Sequence, residues 1–146
     1  MRVFLIRHRI KIVIVSIAVI IIGLIFLLFS VDNRSNGEYV AFIASFGWEV
    51  EPSPKEISHI TVPSEFDGVY NAYNRIASGS GFDLTPYRGK NVTRYSYKVL
   101  NHAESDAGLI YANVFVYRGE IVSGDITSQE TGGFTIPISD TSGKIN

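Results

Sequence analysis

LIYANVFVYRGEIVSGDIT, residues 109–127, is the stretch that decides the fold of this 146-residue chain. Its first nine residues read as a strand with apolar side chains on both faces. Ile110, Ala112, Val114 and Val116 lie on one face, and Leu109, Tyr111, Phe115 and Tyr117 lie on the other. The segment 117–120 that follows has the length of a tight hairpin with glycine in its loop. The stretch therefore predicts two antiparallel strands, at about 109–117 and 120–127.

The two apolar faces of the first strand leave two explanations open. A strand covered on one side only should alternate apolar and polar residues. Either helices cover both sides of the sheet, which is the favoured hypothesis, or an aromatic face is left for a partner. In the second case the surface would include Tyr111, Phe115 and Tyr117.

Further elements follow outward from this hairpin. Alternating residues predict strands at about 57–62, 91–100 and, at an edge of the sheet, 134–138. A capping box from Ser35 to Glu38 predicts the start of a short helix at 36–46, with Gly47 as its stop. A second amphipathic helix starts near Phe66 and ends before Gly79. We expect an α+β domain in which two helices pack on an antiparallel meander sheet.

A charge-free apolar run precedes this domain. Residues 12–29 carry no charge and would span about 27 Å as a helix, close to the hydrocarbon thickness of a bilayer. A cleaved signal peptide is the rival interpretation, but its apolar region is usually shorter and ends in small residues, unlike Leu28-Phe29-Ser30. Residues 1–11 contain four basic residues and no acidic one, so the positive-inside rule predicts a cytoplasmic N-terminus.

These features predict a single-pass protein of the cell membrane whose C-terminal domain is extracellular. The expected parts are a cytoplasmic basic tail at 1–11, a transmembrane helix at 12–31, a short linker at 32–35, an extracytoplasmic α+β domain at 36–138 and a frayed tail at 139–146. The chain has no cysteine, which excludes disulfides, thiolate catalysis and cysteine-ligated metals. A disulfide-free exterior domain is typical of a Gram-positive bacterium with a single membrane.

Five segments of the predicted domain occur in a recognisable order. They are SFGWEV (45–50), FDGVYNAYN (66–74), GFDLTPYRGK (81–90), YSYKVLN (95–101) and VYRGEIVSGD (116–125). Together they resemble an uncharacterised family of small membrane-anchored proteins from spore-forming Gram-positive bacteria, grouped as a domain of unknown function. The resemblance covers most of residues 39–126 and implies an anchored exterior domain. It implies no catalytic residue.

Basic and aromatic residues interleave in segment 81–99. In a strand, Arg94 and Lys98 share one face while Tyr95 and Tyr97 share the other, as in any half-buried strand. The alternative is a basic patch for an anionic wall polymer, phospholipid headgroups or an acidic protein; nucleic acid is not expected outside a cell. The candidate binding residues are therefore Arg88, Lys90, Arg94, Lys98, Tyr111, Phe115 and Tyr117.

No catalytic signature accompanies these residues. The chain lacks both the phosphate-loop spacing and the GxSxG elbow. We interpret the histidines as surface or hydrogen-bonded residues, and Trp48 as a core anchor. The acidic pairs Glu104/Asp106 and Glu120/Asp125 are interpreted as solvated turn residues. We expect no enzyme activity, cofactor or metal.

Three hypotheses for function result, in order of support. The first is an interaction module that binds an envelope or membrane protein through the aromatic face or the basic loop. The second is a sensor or binder of a small molecule or anionic polymer, using the basic patch or a pocket between the tyrosine-rich helix and the sheet. The third is an envelope hydrolase. The lipid bilayer is the expected partner of residues 12–31, and self-association is left open.

Overall fold

The structure is a computed structural model that describes the backbone of residues 2–145 and the side chains of residues 13–27, 35–106 and 108–145. The chain forms two compact units, Met1–Gly37 and Glu38–Asn146. Helix α1, Arg2–Ser45, makes up the first unit and contributes its last turns to the second. The side chains of the predicted basic tail, 1–11, lie outside the described residues. Among the residues that are described, no helical segment has both the length and the apolar character that crossing a membrane requires.

The predicted linker at 32–35 and the helix start at Ser35 are wrong, because both lie within α1. A helix that starts at a capping box leaves its first four N–H groups without intrahelical partners, and the box satisfies only some of them. A helix that continues through the same residues keeps all of these hydrogen bonds. Ser35-Asn36-Gly37 lowers helix propensity by at most about 1 kcal/mol per residue, which does not end a helix that has already formed. The predicted stop is confirmed: Gly47 has φ 85° and donates its N–H to the Ala44 carbonyl at 2.8 Å.

The second unit contains a five-stranded antiparallel sheet whose strands lie side by side in chain order. The strands are β1 Glu56–Thr61, β2 Asn91–Lys98, β3 Ile110–Tyr117, β4 Glu120–Ser128 and β5 Thr135–Pro137. Helix α2, Gly68–Gly79, lies between β1 and β2 in the chain, and Asp67 caps it by accepting from the Tyr70 N–H at 2.9 Å. The predicted α+β class and the antiparallel sheet are confirmed.

The β3–β4 hairpin closes through Arg118 and Gly119, which have φ 51° and 86°. Positive φ at both central residues is the geometry that matches the twist of two paired strands. A register irregularity between Phe115 and Val116 leaves Val122 of β4 without a partner in β3. Bulges of this kind bend a strand and redirect its side chains.

Both faces of the sheet are covered, each by a different helix. On one face, Tyr97, Val114 and Ile126 pack with Tyr39 and Ile43 from the end of α1. On the other face, the buried residues Val92, Phe115 and Val122 pack with aromatic residues from α2 and its neighbouring loops, namely Phe66, Tyr70, Tyr73 and Tyr87. The hypothesis of helices on both sides is therefore confirmed. Of the three residues of the predicted aromatic face, Phe115 is buried beneath α2, Tyr117 packs against Tyr87, and Tyr111 is half-buried.

The predicted frayed tail is also wrong. Ile138 is buried in the core and its carbonyl accepts from the Trp48 indole at 2.8 Å, which confirms Trp48 as a core anchor. The Ile145 N–H donates to the Asn101 carbonyl at 2.9 Å, and the Gly143 carbonyl accepts from the Ala103 N–H at 2.8 Å. A polar composition is typical of a disordered terminus, but these backbone hydrogen bonds attach the tail to the loop after β2.

Candidate functional site

A cavity of about 300 Å³ lies between α2 and the sheet. Tyr70 of α2 and Phe115 of β3 form its apolar walls with Ile60, and Val69 borders it from an exposed position on α2. The positions of β3 and β4 that face it carry polar side chains of modest size, Asn113, Asp125 and Thr127.

The floor of the cavity is a hydrogen-bonded polar network centred on Asp125. Asn113 and Asp125 are direct partners across β3 and β4, and the Asn113 amide donates to Asp125 Oδ1 at 2.7 Å. The Thr127 hydroxyl donates to the same oxygen at 2.8 Å, and the Tyr73 hydroxyl of α2 donates to Oδ2. Ser96 of β2 donates to Asn113 Oδ1 at 2.6 Å. Three strands and one helix therefore hold a single carboxyl group.

Burial controls the electrostatics of this network. Asp125 is only 2% exposed, and this desolvation raises the pKa of its carboxyl against the opposing effect of the hydrogen bonds from Tyr73, Asn113 and Thr127. The pKa of Tyr73 lies well above its ordinary value, because of burial first and then the charge of Asp125. Tyr73 therefore stays protonated and acts as a permanent donor to Asp125.

Arg94 is the basic residue on the cavity wall. Its Nη2 atom pairs with Glu56 Oε1 at 2.9 Å, and both side chains remain partly exposed, at 30% and 49%. Its Nε atom is buried and has no hydrogen-bond partner. Ser58 lies directly opposite Arg94 in the β1–β2 register, and its hydroxyl is likewise buried without a partner.

The seven predicted binding residues do not form one surface. Arg94 and Phe115 are register partners that line the cavity together, and Lys98 lies opposite Tyr111 farther along the same strands. Arg88 is exposed and stacks over Phe66 at 4.4 Å. Of the remaining two, Lys90 is exposed and Tyr117 packs edge-on against Tyr87.

The interpretation of Asp125 as a solvated turn acid is wrong, and the sequence reasoning missed Tyr73, Asn113 and Thr127. The alternating pattern contained a signal. Asn113 occupies an inward position between Tyr111 and Phe115, and Asp125 lies in the other strand of the same hairpin. Two polar residues that face each other inside an apolar hairpin predict a buried network.

A second cavity, of about 240 Å³, borders His102 on the other side of the domain. His102 is buried, stacks on Trp48 with ring centroids 6.0 Å apart, and accepts from the Glu104 N–H at 3.1 Å through Nδ1. It is therefore a hydrogen-bonded core histidine. Among the described side chains, no three or more histidine or acidic residues are grouped so that they could hold a metal ion.

Residues 42–126 match the family described as a domain of unknown function, DUF4830. The chain belongs to this family. The matched region runs from the end of α1 through most of β4, so it includes Asp125 and most of the cavity but not β5 or the tail. The match confirms the uncharacterised domain family inferred from the five segments. No curated protein and no solved structure matches the chain.

Proposed function

We propose that the unit Glu38–Asn146 is a small-molecule-binding domain whose ligand occupies the cavity between α2 and the sheet. The observation that carries this proposal is the cavity itself, about 300 Å³ with aromatic walls and a fixed polar floor. Protein interiors normally contain few voids larger than a water molecule. Small-molecule sites start at about this volume and combine apolar walls with a few positioned polar groups.

The polar floor favours binding over catalysis, because its side chains are already hydrogen-bonded to one another. Asp125 accepts three hydrogen bonds, and Asn113 is bonded through both its oxygen and its nitrogen. Groups engaged in this way hold their positions and offer little proton-transfer capacity to a substrate. Docking of a partner protein through Phe115 is disfavoured, because α2 lies over this residue.

The proposal includes a membrane anchor that places this domain outside the cell. Its support is the charge-free run at 12–29 with the basic residues before it, and the exposure of the described side chains at 13–27. Each large apolar side chain between Val13 and Leu27 is at least 50% exposed. A helix that is apolar all round needs an apolar environment, which a bilayer provides.

The cavity is tested by titrating the full chain, in detergent micelles, with the uncharged probes aniline and benzamide. Saturable shifts of the Asn113 side-chain amide in ¹⁵N–¹H spectra are expected. Val69→Trp should weaken binding about tenfold or more, because a large side chain at this exposed border position can lie in the cavity. Asn71→Trp is the matched control, since Asn71 is exposed on α2 and does not line the cavity. Absence of saturable shifts with both probes would contradict the proposal.

A further inference from the structure

Three aromatic side chains form adjoining walls of the cavity between α2 and the sheet. They are Tyr70 and Tyr73 of α2 and Phe115 of β3, and we call them the aromatic cage. The Tyr70 and Tyr73 rings have centroids 6.4 Å apart and are inclined at 63°. The Tyr73 and Phe115 rings have centroids 6.0 Å apart and are inclined at 69°. Rings that meet at such angles border a space from different directions instead of covering one another in a stack.

The ring faces give the aromatic cage a preference for one sign of charge. The π-electron face of an aromatic ring carries partial negative charge, so it attracts a cation, and it does so more strongly where water is excluded. Proteins recognise ammonium groups with several aromatic rings that border one site. The aromatic cage therefore favours a positively charged ligand group over a neutral or negative one.

The charges around the cavity agree with this preference. Among the described side chains, Asp125 and Arg94 are the charged ones that line it. Glu56 pairs with Arg94 Nη2 at 2.9 Å and offsets the arginine charge, whereas the side chains that donate hydrogen bonds to Asp125 are neutral. With Asp125 ionised, Glu56, Arg94 and Asp125 together carry one net negative charge. A monovalent cation in the cavity would balance it.

Ionisation of Asp125 is coupled to the binding of such a cation. Desolvation raises the pKa of this carboxyl, and a nearby positive charge favours its ionised form. Attraction between charges extends over several ångströms, so a cation beside Asp125 is stabilised while the carboxyl keeps its hydrogen bonds.

The cavity offers no other described group that titrates near neutral pH. The titratable or charged side chains near Asp125 are Tyr70 and Tyr73 from α2, Arg94 from β2 and, paired with Arg94, Glu56 from β1. Tyrosines titrate above the neutral range, glutamates below it, and arginines keep their charge. The affinity for a cation should therefore rise with pH in step with the ionisation of Asp125.

We infer that the cavity binds an organic cation, a primary or quaternary ammonium compound with a small apolar body. This inference rests on the proposed function and specifies its ligand class. The ammonium group lies between the rings of the aromatic cage beside Asp125, and the body lies against Ile60 and Val69. An anion is disfavoured, since it would meet the same ring faces and the Asp125 carboxylate.

Three probes of similar size test the inference on the full chain in micelles of an uncharged detergent: benzylamine, benzyl alcohol and benzoate. Benzylamine and benzyl alcohol differ only in an ammonium against a hydroxyl group, and benzoate carries a negative charge. At neutral pH, we expect benzylamine to bind about tenfold more tightly than either of the other two. Its affinity should rise between about pH 6 and pH 8, while that of benzyl alcohol stays constant. Dissociation constants come from the shifts of the Thr127 backbone N–H, because Thr127 lines the cavity.

Two variants assign the preference for benzylamine over benzyl alcohol to its two sources. Asp125→Asn removes the negative charge, so the preference should fall and its pH dependence should disappear. Tyr70→Leu removes one ring of the aromatic cage and should also reduce the preference. Asn71→Leu is the matched control for the second variant, since Asn71 is exposed on the same helix and does not line the cavity.

The comparison of probes on the native chain needs no variant to fold. Equal binding of benzylamine and benzyl alcohol, or tightest binding by benzoate, would overturn the cation inference but leave the cavity function standing. A preference that persists in both Asp125→Asn and Tyr70→Leu would also overturn it, as would a benzylamine affinity that does not rise with pH. Absence of binding by all three probes would overturn both proposals.

Discussion

The buried carboxyl group of Asp125 is the centre of the hydrogen-bond network on the α2 side of this domain. Asp125 takes a position in β4 that an apolar residue would normally occupy, and it is kept there by donors from β3, β4 and α2. Burying a polar group is tolerated only when it is hydrogen-bonded. Tyr73 supplies the only one of these bonds that reaches Asp125 from α2, and so links the helix to the sheet beside the cavity.

Removal of this link should be measurable. Tyr73→Phe leaves the aromatic packing on Phe115 in place but takes one donor from a buried carboxyl. We expect a loss of about 1–3 kcal/mol in the free energy of unfolding, measured by urea denaturation. Tyr70→Phe is the control: Tyr70 lies on the same helix and lines the same cavity, and its hydroxyl makes no hydrogen bond to the described residues. Equal losses in the two variants would show that the Tyr73 hydroxyl does not support Asp125.

The raised pKa of Asp125 makes stability depend on pH in a defined direction. Because the folded-state pKa lies above the ordinary value near 3.8, the folded protein holds this proton more tightly than the unfolded chain. Its contribution to stability is complete below about pH 3.8 and is lost as pH rises through the folded-state value. Asp125→Asn removes this titration.

The measurement is the free energy of unfolding of the native chain and of Asp125→Asn between pH 3.5 and pH 8. We expect the native chain to lose stability relative to the variant as pH rises, by at most about 1.4 kcal/mol per pH unit within the titration window. Other groups titrate in both proteins and cancel in the difference. Two curves that stay parallel would mean that Asp125 has the same pKa in the folded and unfolded chain.

At the scale of elements, local patterns predicted the sheet well and the ends of the domain poorly. Alternation in 109–127 predicted β3, β4 and their hairpin, because a pleat places every second side chain on the same face. The start of the domain helix was misplaced since a capping box looks the same within a continuing helix. A pocket between the tyrosine-rich helix and the sheet was among the hypotheses from sequence, but the bond from Tyr73 to Asp125 could not be predicted, because the two residues are 52 positions apart in the chain.

The structure of the C-terminal tail was also predicted wrongly from local sequence. Its serine, glycine and aspartate residues predict a loop, yet Gly143 lies so close to His102 that a Cβ at this position would be 2.0 Å from Nε2. Glycine here allows a close approach between the tail and a buried ring. A sequence gives no sign of such a contact when the partners are about 40 residues apart.

Deleting residues 140–146 should therefore destabilise the domain. The deletion removes the backbone bonds from Ala103 to Gly143 and from Ile145 to Asn101, and it uncovers His102. Bonds of this kind contribute about 1 kcal/mol each, so we expect a loss of roughly 2 kcal/mol or more in urea denaturation. Gly143→Ala should shift stability in the same direction without shortening the chain, because the added methyl group meets the ring. A shortened chain as stable as the full one would restore the frayed-tail interpretation.

At the scale of the whole molecule, the second unit contains everything that the proposed binding needs. The cavity and its polar floor both lie within Glu38–Asn146, and the family match covers most of the residues that line them. The first unit contributes a helix with an apolar central run. In the proposed arrangement, the membrane keeps the binding unit at the cell surface, where a ligand can reach it from outside.

The orientation of the chain is the last prediction, and it follows from charge. Residues 1–11 have four basic residues and no acidic one, so retention of this end in the cytoplasm is favoured. Protease added outside intact protoplasts should digest a C-terminal tag and the unit Glu38–Asn146, while an N-terminal tag stays protected until the membrane is broken. Changing Arg2, Arg7, Arg9 and Lys11 to Gln is the matched variant, which should give a mixture of orientations. Full protection of the C-terminal tag would contradict the proposed topology, and a shortened chain in the medium would identify residues 12–29 as a cleaved signal instead.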